Sequence, residues 1–292
     1  MRRKVSISVA MCLALVVSVA TFQAWSAGEP QYNATYGTGD SAITVATGSP
    51  GSLGLLKELA EPFCQLNYCR VNWIKKGSGA SLEALKAGQV DMVMVHAPAA
   101  EKKAVSEGWA TMRTLLGSNE FYIVGPGDDP AGIKTATTAK EAYAKIARVQ
   151  ARFFSRGDNS GTHKKEMMIW ELTGIRPAGD WYIITHAFMG PTLMRADRER
   201  GYFMTDSSTF YVKKAKIRNL EILFRGDPIL VNVYHALVAS PERYPEANYA
   251  LAIKFLKFLS SPDGQAILRE YGKLQYGSAL YNDAEYARRW EH

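Results

Sequence analysis

Residues 155–163 read Ser155-Arg156-Gly157-Asp158-Asn159-Ser160-Gly161-Thr162-His163 and run straight into a helical stretch at 164–172. The first N–H groups of a helix have no internal partners, and the macrodipole places partial positive charge there. Such a terminus receives small anions, and Arg156 adds a planar fork of donors matched to an oxyanion. Capping alone would account for Asp158 or Ser160, but it does not require an arginine. The chemistry expected is capture of a small anion by Arg156, Ser160, Gly161 and Thr162. Asp158, the one carboxylate in the motif, is a secondary candidate.

The elements around this motif send further loops to the same place. A strand at 42–46 empties into Gly48-Ser49-Pro50-Gly51-Ser52, followed by a helix at 53–60. A second strand at 70–74 empties into Gly77-Ser78-Gly79 ahead of a helix at 80–87, and a third occupies 90–95. In a parallel sheet these loops gather at the carboxyl edge, where ligands bind. Ser49 and Ser78 therefore join the donors. Further on, strands are expected at 121–126, 152–155, 220–224 and 231–238, and helices at 139–148, 191–200, 246–259 and 263–270. Gly174 and Pro177 end the helix that follows Arg156. Short apolar runs alternating with amphipathic stretches predict an α/β architecture.

Residues 1–26 read as a secretory signal: Arg2, Arg3 and Lys4, an apolar run from Val5 to Val19, and small residues up to Ser26. Of the formal net charge of +7, three charges lie in that leader. The mildly basic remainder suits an anionic ligand and forms no stripe of the kind nucleic acids need. Cys64 and Cys69 are the cysteines left beyond the leader, and in an oxidising compartment they are expected to close a small disulfide loop. The five histidines are scattered without metal-ligand spacing, and no Gly-x-Ser-x-Gly elbow occurs. Neither a metal centre, nor a cofactor, nor an enzyme active site is expected.

Several stretches together resemble exported solute-binding proteins of ABC importers, of the type II periplasmic-binding class and its tungstate-binding group. They are residues 90–101, 119–126, 129–133, 155–163, Gly226-Asp227-Pro228 and Val231-Asn232, and the similarity spans about 44–265. The resemblance implies two α/β lobes with a ligand cleft between them, a periplasmic location, and delivery of the ligand to a membrane permease by a monomer. It divides the chain into a first part of lobe 1 at 27–120, lobe 2 at 121–232, and a return segment of lobe 1 at 233–292. It also adds Thr47 as a ligand-binding residue and Met189, Asp206 and Thr209 as secondary candidates. Three cleft-facing segments depart from the group's pattern: 46–56, 186–190 and 205–211. His186 and Phe188 in particular could admit a larger or partly organic anion.

Tungstate, molybdate and sulfate are fully deprotonated at neutral pH and want donors without an acceptor. Phosphate keeps a proton until a pKa of about 6, and a carboxylate in the site can accept it. Asp158 therefore decides between them: paired with Arg156 or capping its own loop it favours a dianion, and turned into the cleft it favours phosphate. Two other classes remain open, a receptor that presents its ligand to a membrane sensor and an enzyme acting on a phosphorylated or sulfonated substrate.

Overall fold

The structure, a computed structural model, describes residues 31–291; the expected leader lies outside them. Apolar runs bounded by turn residues form the strands: β1 Ala34–Tyr36, β2 Ser41–Thr47, β3 Cys69–Lys75, β4 Met92–Val95, β5 Ala110–Pro126, β6 Phe153–Ser155, β7 Tyr182–Ile184, β8 Tyr202–Asp206, β9 Leu220–Phe224, β10 Val231–Ala239 and β11 Asn282–Asp283. They join in one sheet of order β1-β3-β2-β4-β10-β5-β8-β6-β7, with β9 and β11 also pairing with β5. β2 runs parallel to β3 and β4, and β6 parallel to β7 and β8. β10 is antiparallel to both β4 and β5.

β5 holds the molecule together. Up to Glu120 it pairs with β10; from Phe121 it pairs with β8 and β9. The expected strand at 121–126 is only its second half. The first half carries Arg113, Thr114, Ser118 and Asn119, whose polarity hides a strand from any reading of hydrophobic pattern.

The helices are α1 Ser49–Ser52, α2 Leu55–Asn67, α3 Ser78–Lys86, α4 Pro98–Ser106, α5 Ala139–Arg148, α6 Gly161–Thr173, α7 Met189–Glu199, α8 Ser207–Lys213, α9 Tyr249–Ser260, α10 Pro262–Glu270, α11 Lys273–Tyr276 and α12 Ala284–Ala287. α5 shows why their bounds were legible. Thr138 caps it by accepting from Glu141 N, Glu141 accepts in return from Thr137 N, and Ala139, Ala142, Tyr143 and Ile146 form its buried face. α6 ends at Gly174, whose φ of 72° is the left-handed conformation glycine adopts without penalty.

Hydrophobic packing falls on either side of the point where β5 changes partners. One core gathers Phe121, Tyr143, Phe153, Trp170, Phe203 and Leu223. Another joins Ile43, Leu56, Phe63 and Val71 to Phe255 and Leu259 of α9, and a third lies around Leu82, Val93, Trp109 and Leu237. Each such large side chain contributes about 1.5–3 kcal/mol on burial.

The cysteine expectation is corrected. Cys64 and Cys69 are buried free thiols, with sulfurs 3.4 Å apart and no bond between them. Burial, with Cys69 alongside, raises the Cys64 pKa to about 12, which keeps the thiol protonated.

Candidate functional site

A cavity of about 350 Å³ opens where four helix starts meet, those of α1, α3, α6 and α7. Gly48, Ser49, Gly77, Ser78, Arg156, Ser160, Phe188 and Met189 stand on its wall. The sequence brings them together through strands of the same sheet: β2 ends at Thr47, β3 at Lys75, β6 at Ser155 and β7 at Ile184. α3 and α7 have no side-chain cap, so their leading amides remain available. α6 is capped by Ser160, whose hydroxyl accepts from His163 N at 3.2 Å.

Arg156 is 4% exposed, and three acceptor contacts fix its fork. Asp158 Oδ2 accepts from its Nε at 3.1 Å and from Nη2 at 2.5 Å, and the Ala187 carbonyl accepts from Nε at 3.3 Å. The other Asp158 oxygen accepts from Ser160 N at 3.2 Å. Asp158 thus both pairs with the arginine and caps its own loop. Among the described residues no carboxylate lines the cavity.

The remaining expected residues divide. Ser49, Ser78, Ser160, Met189 and Thr209 stand on the wall with Arg156. Thr47 does not: it is fully buried, and its hydroxyl donates to Met94 O at 2.8 Å. Gly161 sits behind the wall against His96; a Cβ there would lie 2.4 Å from the His96 ring. Thr162 is 1% exposed, and its hydroxyl has no hydrogen-bond partner among the described residues. Asp206 caps α8, accepting from Thr209 N and Oγ1 at 2.8 Å each, so it positions Thr209 instead of facing the cavity. Of the two departures noted at 186–190, Phe188 reaches the wall and His186 does not.

Lys75, Met94, His96, Met194, Lys213 and Tyr234 also line the cavity, and sequence reasoning missed them. Lys75 and His96 lie just past the ends of strands already marked, a signal that could have found them; Met194, Lys213 and Tyr234 arrive from elements whose facing depends on packing. Burial, and then the charge of Arg156, lower the His96 pKa to about 3, so its imidazole is neutral at ordinary pH. The ring packs 4.8 Å from that of Tyr234. His163 is no wall donor; its Nδ1 accepts from Asn159 N at 3.1 Å.

A family model described as a PBP superfamily domain matches residues 32–263. The chain belongs to the PBP superfamily. This PBP superfamily member is 33% identical over 284 residues to the tungstate-binding protein TupA of Peptoclostridium acidaminophilum, covering 96% of this chain and 98% of that one. The tungstate ABC transporter structure from Geobacter sulfurreducens is 39% identical, covers 80% of this chain and 100% of its own, and superposes with a TM-score of 0.73. Tungstate-binding protein TupA from Desulfovibrio alaskensis G20 is 37% identical, with 83% and 98% covered and a TM-score of 0.72. The α/β fold of the type II class is borne out, as is the resemblance to tungstate-type solute-binding proteins. In this PBP superfamily chain no described helix is long and apolar enough to cross a membrane.

Proposed function

We propose that this chain captures a tungstate-like dianion outside the cytoplasm and hands it to the membrane permease of an ABC importer. One observation carries the reading of the ligand: the carboxylate of the Arg156 motif is spent on Arg156 and on Ser160 N, so the wall offers donors and no acceptor carboxylate. A proton-bearing phosphate would leave its hydroxyl facing those donors unanswered. The Thr162 hydroxyl, without a partner among the described residues, and the uncapped amides of α3 and α7 support the same reading. The permease role draws on the relatives named for tungstate binding and tungstate transport.

In this reading residues 27–120 and 233–292 form one lobe and 121–232 the other, working as a monomer. The strands crossing between them, β5 at Glu120–Phe121 and the start of β10, serve as the hinge. The anion favours the closed form because contacts from both lobes exist only there. The periplasmic location rests on the leader read in residues 1–26. The protein carries its ligand without turning it over.

Calorimetric titration with tungstate, molybdate, sulfate and phosphate tests the reading. Arg156→Ala should weaken dianion binding by about 2–5 kcal/mol, since neutral donors alone would face a desolvated charge. Unchanged affinity in that variant, or phosphate outcompeting the dianions, would overturn it.

A further inference from the structure

Three cations line the cavity, Lys75, Arg156 and Lys213, with no carboxylate on the wall among the described residues. Arg156 is answered by Asp158 behind it. Lys75, at the end of β3, has its ammonium 4.5 Å from the centroid of the Phe188 ring, and Arg156 Cζ lies 5.7 Å from that same centroid. Lys213, at the end of α8, reaches the start of α7, where its Cε comes within 3.6 Å of the position a Cβ on Gly190 would take. Among the described residues neither lysine has a carboxylate partner within 4.0 Å. Two positive charges therefore face the cavity unanswered.

We infer that Lys75 and Lys213 determine specificity at this site, selecting a doubly charged tetrahedral oxyanion over a singly charged one of the same shape. The inference rests on the dianion reading above and adds the residues that select for that charge. Fixed positive charge attracts an anion in proportion to the charge that anion carries, and the attraction falls only as the inverse of distance. Hydrogen-bond donor dipoles also attract in proportion to that charge, but their attraction falls off faster with distance, so the lysines add discrimination at a range the donors do not reach. Phe188 gives Lys75 a resting contact that does not cancel its charge, because a ring quadrupole attracts a cation without neutralising it. That contact leaves the lysine available when the anion enters.

Tungstate and perrhenate are tetrahedral and nearly equal in size, with charges of about −2 and −1 at neutral pH, and serve as the probes. Titration calorimetry on the wild-type chain, Lys75→Met, Lys213→Met and Lys75→Arg gives the comparison, with the melting temperature of each recorded. Loss of one fixed charge costs the dianion twice what it costs the monoanion. A tenfold loss for perrhenate should therefore accompany about a hundredfold loss for tungstate, in each Met variant. Lys75→Arg, which keeps the charge, should hold the wild-type ratio. Equal factors for both anions in the Met variants would mean the lysines act by packing, and unchanged affinities would mean they do not act; either result overturns the inference. A wild-type chain that binds neither probe removes the oxyanion reading itself, an outcome recognisable before any variant is made.

Discussion

Arg156 holds a permanent charge in a nearly buried position because Asp158 and the Ala187 carbonyl replace the water it gave up. Ten residues later, Glu166 shows the cost of burial without a cation. It is 1% exposed and accepts from Tyr182 Oη at 2.6 Å and Trp170 Nε1 at 3.3 Å. Burial outweighs those bonds and raises its pKa from 4.5 to about 7. Between those values the folded chain binds more protons than the unfolded one, so this group makes stability fall as pH rises. Glu166→Gln, which keeps an acceptor oxygen, should remove that fall. Between pH 4 and pH 8 the variant should gain on the order of 3 kcal/mol relative to the wild type, read from urea midpoints. Parallel pH responses of the two proteins would show that the carboxyl titrates alike in the folded and unfolded chain.

The helix starts meet because glycine lets the backbones touch. Gly79 lies against the Asn159 carbonyl, where a Cβ would come within 2.5 Å, and Gly161 lies against the His96 ring and carbonyl. The sequence showed these glycines and placed them at helix starts, but not the close approach that requires them. Alanine at position 161 would normally favour a helix; here it has to displace His96. Gly161→Ala should destabilise the fold by about 1–3 kcal/mol and weaken anion binding as well, because His96 stands on the cavity wall. Denaturant unfolding and titration of the same preparation check both effects. Full affinity at full stability would mean the contact has slack.

Two polar networks tie the molecule across its long central strand. Asn119 of β5 donates to Ser208 Oγ at 2.8 Å and accepts from Asn232 of β10 at 2.7 Å, at the point where β5 changes partners. Farther along, Glu101, fully buried, receives Arg113 Nε at 3.1 Å and lies 2.9 Å from His235 Nδ1. Arg113 also reaches Glu291 at 3.1 Å, so the last described residue is anchored to β5 and, through His235, to β10. Arg113→Ala leaves the Glu101 carboxylate short of its main cation. It should cost about 3 kcal/mol or more, measured by urea unfolding. A loss below about 1 kcal/mol, the range of surface pairs, would show that water compensates.

Glu101, Asn119 and Asn232 all fall within the resembling stretches, yet nothing in their spacing says what they hold. Local chemistry was enough for the rest: the Arg156 loop, the Gly/Ser segments at 48–52 and 77–79 that form α1 and open α3, the Ser160 cap of α6, and the alternation that makes an α/β chain. Those signals act over a few residues, where bond geometry and capping dominate. Asp158 takes its orientation from Arg156 and Ser160, each two residues away, whereas the sharing of one cavity by Lys75, Lys213 and Arg156 depends on contacts between segments as much as 138 residues apart. A side chain's partner across the fold is fixed by packing, and no one-dimensional pattern carries that information.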